Sequence, residues 1–235
     1  MAKRAPFKYF KTSREIIRLT VMLYVRFPLS QRSVEDLLHE RGVDVSYEAI
    51  RYWWNRFGPS FASEIRRRRV QKLRAFSTWQ WHVDEVFVKI KGEHNCLWRA
   101  IDHEEEVLES VVMKRRIKWA ALKPRRKLMR RYGRPEVLVT DRFPSYRAAL
   151  RDLGCDDLQA CGRWLNNRIE NSHLPFRRRE RAMQRFPQMR SLQKFVAVHS
   201  SVFNHFNQGR TLSRRDIFKL NRTAALAEWR SLGAA

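Results

Sequence analysis

The chain has 235 residues, 43% of them hydrophobic, and its 49 Lys and Arg against 24 Asp and Glu leave a formal charge of +25. That apolar content excludes a disordered chain, and so large a charge excess points to an anionic partner, nucleic acid first. No run approaches the roughly 18 apolar residues of a membrane span, the basic N-terminus reads as lacking a secretory signal, and Cys96, Cys155 and Cys161 are too few for a disulfide framework.

Residues 12–57 read as three helices. "TSREIIRLTVMLYVRF" is mostly apolar and stops ahead of Pro28. "SQRSVEDLLHERG" offers Ser33 as N-cap with Asp36 at the capping-box position, and Gly42 as the stop. "SYEAIRYWWNRFGP" starts at Ser46, places Ile50, Trp53, Trp54 and Phe57 on one face, and is expected to end at Gly58 and Pro59. This is helix-turn-helix spacing. The opposite face of the third helix carries Glu48, Arg51, Tyr52 and Asn55, the hydrogen-bonding types that a recognition helix presents to base edges. Residues 1–75 hold 17 Lys and Arg against 7 Asp and Glu. The run Arg66, Arg67, Arg68 and Arg69 forms a basic joint able to grip phosphates. Residues 1–75 are therefore expected to form a DNA-binding unit with its linker.

Past residue 78 the period changes. "WHVDEVFVKI", "CLWRAID" and "VLESVVM" alternate as strands, joined through "KGEHN" and "HEEE", which predicts an antiparallel meander. A basic helical stretch over 115–133, interrupted by Pro124, leads to a fourth strand, "EVLVTD", and a further helix, "PSYRAALRDLG". The crossover returns the fourth strand parallel to an existing one, so the fold class is α/β with a mixed sheet. "SLQKFVAVHSSVFNHF" reads as a closing helix with Leu192, Phe195, Val196, His199 and Phe203 inward. The sheet domain is expected over 76–210 and a helical tail over 211–235.

Asp84 stands inside the first strand among apolar neighbours, and Asp141 ends the fourth. Carboxylates converging in so basic a protein call for a shared cation, and Mg²⁺ suits oxygen ligands of this kind. "WLNNRIENSH" adds Glu170 on a helix, with His173 three residues on and Arg177 seven on along roughly the same face. Strand-end acids also serve as turn caps, and the residues alone leave that alternative open.

The order "WHVDEVFVKIKG…LWRAID", "YGRPEVLVTDRFPSY" and "RWLNNRIENSH" resembles the DDE transposases of bacterial insertion sequences, specifically the insertion-sequence-six family, over nearly the whole chain. The resemblance implies a helix-turn-helix joined to an RNase H-like domain. It assigns the catalytic, metal-holding acids to Asp84, Asp141 and Glu170, and the superfamily's basic residue two helical turns on to Arg177. Asp102 is the alternative to Asp84. It further implies two Mg²⁺ ions, replaceable by Mn²⁺, binding to the terminal inverted repeats, cleavage and strand transfer on double-stranded DNA, a homodimer or higher homo-oligomer, and a cytoplasmic, nucleoid-associated setting. The strip "FRRRERAMQRF" is expected to neutralise DNA phosphates through Arg177, Arg178 and Arg179. Two other readings fit the residues: a non-catalytic DNA-binding regulator, and an RNase H-like structure-specific nuclease.

Overall fold

The computed structural model describes residues 6–73, 79–114, 126–140, 151–152, 154, 156–162, 165, 167–183, 186–207 and 214–233, and the statements below concern these. Two compact units divide the chain, one of residues 1–66 and 201–235, the other of residues 67–200.

The first unit is helical: α1 (Arg14–Arg26), α2 (Gln31–His39), the first part of α3 (Tyr47–Leu73), the end of α5 (Met189–Phe206), and α6 (Arg215–Ser231). Ser13 caps α1 by accepting from the Ile16 amide, and α1 buries Ile17, Val21, Tyr24 and Val25. The start of α2 differs from expectation. Ser30, not Ser33, is the N-cap, with its hydroxyl accepting from the Ser33 amide at 2.9 Å. Both serines fit the cap preference, and the earlier one wins because the extended backbone that a cap needs falls at Ser30 (φ −71°, ψ 168°). Gly42, at φ +72°, lets the chain leave α2 in the left-handed region.

α3 runs through Gly58 and Pro59, where an end was expected. An interior proline costs about 3 kcal/mol, but beyond it Phe61, Ala62 and Ile65 are all buried, so the apolar stripe of Ile50, Trp53, Trp54 and Phe57 continues. Burying Phe61 and Ile65 offsets the proline. A Cβ on Gly58 would sit 2.7 Å from Cε3 of Trp54, so glycine is required for that indole to lie on the helix backbone.

Residues 211–235, expected as a tail, supply α6 to this unit. Trp229 of α6 is 2% exposed, lies 5.6 Å from the Phe61 ring and donates from Nε1 to the Arg18 carbonyl at 3.1 Å. Arg18 in return donates from Nε to the Leu232 carbonyl at 2.7 Å.

The second unit holds a five-stranded sheet of β1 (Gln80–Ile90), β2 (Glu93–Asp102), β3 (Val107–Met113), β4 (Val137–Thr140) and β5 (Gln159–Ala160), in the order β3-β2-β1-β4-β5. β1–β2 and β2–β3 are antiparallel; β1–β4 and β4–β5 are parallel. The β1–β2 turn is Lys91–Gly92, at φ 52° and 86°, shorter than the expected loop over 91–95. Two residues of positive φ match the twist of a hairpin, which lets β2 begin at Glu93.

One face of the sheet is a hydrophobic core of Trp81, Val83, Trp98, Ala100, Leu108 and Leu138, packed with Leu128 and Tyr132 of the helical stretch 126–132. The other face meets α4 (Asn167–Ala182), which contacts β1 and β2 and buries Ile169, Ser172, His173 and Phe176. α5 buries Leu192, Phe195, Val196 and His199 as expected. Phe203 is half-buried, and the inward stripe passes to Val202 and Phe206 as α5 enters the first unit. Gln193 of α5 accepts from the Val112 amide at 2.8 Å and donates to the Ser110 carbonyl at 3.0 Å. Pro124 and the helix expected over 144–154 lie outside the described residues, except for residues 151, 152 and 154.

Candidate active site

Asp84 occupies the middle of β1, with its side chain 17% exposed. Alternation along the strand sends Glu85 to the core face, where it pairs in register with Trp98, while Asp84 faces α4. Its carboxylate Oδ2 lies 3.3 Å from Nε2 of His173. Burial pushes the His173 imidazole below its ordinary range, against the opposing pull of Asp84. His173 sits one helical turn after Glu170, whose side chain is exposed in the first turn of α4, so the two are neighbours on the helix surface.

β1 and β4 pair as far as Val83↔Thr140, and the next residue in each strand's sequence is Asp84 and Asp141. Asp141 lies outside the described residues. Among the described residues no group of three or more His, Cys, Asp or Glu side chains is gathered for a metal ion. The donor set that is described, one carboxylate on β1 and one on α4, offers hard oxygens, which fits Mg²⁺.

Arg99 is the residue that sequence reasoning missed. It pairs directly across from Asp84 on β2, is 2% exposed, and donates from Nη1 to the Ser172 carbonyl of α4 at 2.7 Å. It ties the helix carrying Glu170 to the strand beside Asp84. Burial lowers its guanidinium to about 10, which leaves it charged at neutral pH. The signal was present in "LWRAID", an arginine among apolar strand residues. A five-residue loop over 91–95 slides the register and hides the pairing, whereas the two-residue turn reveals it.

Asp102, the alternative acid, is occupied elsewhere. Its Oδ1 accepts from the amides of Glu104 and Glu106, both at 2.9 Å, closing the β2–β3 turn, and burial raises its carboxyl to about 6.

The basic candidates divide. Arg178 is exposed, whereas Arg179 is 1% exposed, with its guanidinium 5.5 Å from the Phe195 ring, so it belongs to the packing of α4 on α5 and not to a DNA-facing strip. The helix turns by 100° per residue, and a run of three arginines therefore cannot keep one face. Arg177 donates to Glu180 at 2.7 Å and to the Phe87 carbonyl at 2.6 Å. In α3, Arg67 is exposed, Arg68 is half-buried, Arg66 donates to Ser201 at 3.2 Å, and Arg69 forms an ion pair with Glu106. Glu48, Arg51, Tyr52 and Asn55 are all exposed, opposite the buried stripe of α3. Cys96 is buried and Cys161 exposed, and neither is joined in a disulfide. No helix among the described residues is long and apolar enough to cross a membrane.

An antiparallel meander continued by parallel strands in the order β3-β2-β1-β4-β5, with an acid on the central strand, defines an RNase H-like domain. A family model described as a DDE domain matches residues 78–209. Over 172 residues the chain is 30% identical to a transposase for the insertion-sequence-like element IS431mec of Staphylococcus aureus, covering 71% of this chain and 75% of that protein. Among solved structures, the catalytic core domain of HTLV-2 integrase in complex with magnesium superposes with a TM-score of 0.42 at 13% identity, over 57% of this chain and 89% of that one. The catalytic domain of Mos1 mariner transposase gives 0.39 at 13% identity, over 74% and 94%. The chain belongs to the DDE transposases of the insertion-sequence-six family.

Proposed function

We propose that this transposase binds the terminal inverted repeats of an insertion sequence through α2 and α3, and cleaves and joins DNA at a site built from Asp84, Asp141 and Glu170. The observation that carries the reading is the hydrogen bond that His173 Nε2 donates to the Asp84 carboxylate, with the helix of Glu170 lying against the central strand. Asp141 follows Thr140, whose register partner immediately precedes Asp84.

The reaction has two phosphoryl transfers. Water attacks a phosphodiester at the element's end, a P–O bond forms as the bond to the 3′ oxygen breaks, and that oxygen leaves as a 3′-hydroxyl. The hydroxyl then attacks a target phosphodiester and displaces the target's own 3′ oxygen. No bond to the protein is needed. Two Mg²⁺ ions, when bound, supply Lewis-acid stabilisation of the attacking and departing oxygens. The three acids would hold them, and Mn²⁺ meets the same donor requirements. Arg99 and His173 keep α4 seated against the strand that carries Asp84. DNA is an anionic partner that the +25 charge favours. Joining two ends together calls for at least two copies of the chain on DNA.

The test compares wild type with D84N, D141N and E170Q on a precleaved donor end and a supercoiled target. The expected result is loss of joining with DNA binding retained. Retained joining in all three variants would remove the acids from the chemistry. Cleavage without joining by the wild type would indicate a nuclease, and binding alone a regulator.

A further inference from the structure

Residues 6–9 form a turn ahead of α1, closed by the Phe10 amide donating to the Phe7 carbonyl at 3.2 Å. Its two ends are pinned to the proposed recognition helix. The Phe7 ring is 4% exposed and stacks on Phe57 of α3, with centroids 4.7 Å apart and an interplanar angle of 20°. Phe10 lies edge-on to Phe57 at 5.2 Å and 6.1 Å from Tyr52, with the Arg56 guanidinium 5.7 Å from its ring. Beneath Phe7, Gly233 is at φ +68°, where a Cβ would come within 3.0 Å of Phe7 Cε2. The turn is held on both sides.

Its two corners face outward. Lys8 is exposed, and Tyr9 is 76% exposed, the highest value among the exposed large hydrophobic side chains. The Lys8 ammonium lies 5.6 Å from the Tyr9 ring, so the pair forms one projecting cationic and aromatic tip. Nothing in the packing of this unit requires a tyrosine in water. A tip fixed in advance loses little conformational freedom on binding, so an attached ligand gains most of the contact energy. Beside it on the same helix stand the exposed Arg51, Tyr52 and Asn55. The common chemistry is that of a polyanion with a hydroxyl acceptor, and lysine and tyrosine are both donors to DNA phosphate oxygens.

We propose that the Phe7–Phe10 turn is a second DNA-contacting element, which sets Lys8 and Tyr9 on the sugar–phosphate backbone flanking the groove that α3 enters. The inference rests on the reading of α3 as the recognition helix. Phosphate contact fixes register without reading sequence, so the turn would act as a brace that orients α3.

The experiment uses the full chain and two fluorescent duplexes, one selected from a random pool for tight binding and one a shuffled version of equal composition. K8A and Y9F are expected to weaken binding to both duplexes by the same factor, roughly threefold to tenfold each. K8A should also reduce the salt slope of log affinity by about 1. Unchanged affinity and slope would overturn the proposal, as would weakening confined to the selected duplex, which would mean base readout. Both side chains project into solvent, and a circular dichroism melt matching wild type confirms the fold. R51A/N55A separates the two readings. If it leaves discrimination between the duplexes intact while K8A weakens both, the reading of α3 fails, and with it the bracing of α3, while the phosphate contact of the turn stands. If discrimination is lost while K8A and Y9F behave as wild type, the brace fails and α3 stands.

Discussion

The two units handle charge in opposite ways. The helical unit points Glu48, Arg51, Tyr52 and Asn55 into solvent and buries an aromatic stripe behind them, whereas the sheet unit buries charge itself: Arg99 and Arg179 are 2% and 1% exposed. The exposed Arg51 and Tyr52 of that helix face the water through which a polyanion would approach. The buried arginines are already committed to carbonyls and rings of their own unit. An ion taken out of water loses several kcal/mol of hydration that its new contacts rarely exceed, so a buried arginine is weak evidence for stability and better evidence for positioning.

The comparison breaks most sharply at Asp84. D84N should lower strand transfer on the order of a thousandfold or more, the several kcal/mol that metal-held oxygens contribute at the transition state. Filter binding of the same variant should match wild type. A parallel loss of binding would mean that the two units do not separate their tasks.

Next is Arg99. R99M should reduce strand transfer by about 10- to 100-fold, the range for residues that orient metal-holding side chains. Its unfolding free energy should change by less than about 2 kcal/mol, because the recovered hydration offsets the lost bond to Ser172. Urea melts and joining assays on one preparation check both. A large stability loss with normal joining would make Arg99 a structural residue only.

In the helical unit, N55A should cost about 1–3 kcal/mol of discrimination between a bound site and its single-base variants, with stability unchanged. Competition binding across a set of substituted duplexes measures it. Equal weakening on every duplex would reassign Asn55 to the backbone.

A last effect concerns acid. Burial, then the nearby Arg99 and Arg179, lower the His199 imidazole to about 3. The folded state therefore holds it neutral while the unfolded chain takes up a proton below its ordinary value of 6.5. Its contribution to stability is complete above that pH and is lost as pH falls toward 3. In H199Q the decline in melting temperature between pH 6.5 and pH 4 should be shallower than in wild type; identical profiles would show that another group sets the acid limit.

Much of the arrangement was legible before any coordinates. The split of α3 into an aromatic stripe and a polar face follows from helical periodicity, and Asp84 was conspicuous because a carboxylate inside a strand needs a reason. What stayed hidden depended on geometry that spacing does not encode. Pro59 looks like a stop until the burial of Phe61 and Ile65 is known. Two serines, Ser30 and Ser33, offer the same capping chemistry, and backbone conformation chooses between them. The length of the β1–β2 turn decides whether Asp84 faces Arg99, and Lys91–Gly92 marks a two-residue turn only once its two positive φ values are known. Arg179 reads as one more surface cation until the helix is rotated onto its neighbour. The helical tail reads as an appendage until the burial of Ala225, Trp229 and Leu232 shows that it docks on its own unit.

The amide of Gln193 has a consequence for assembly. By bonding the carbonyl of Ser110 and the amide of Val112, it covers two backbone groups of the edge strand β3 that another molecule's strand would otherwise pair with. A substitution such as Q193A would uncover this stretch of the sheet margin to any strand that approached it.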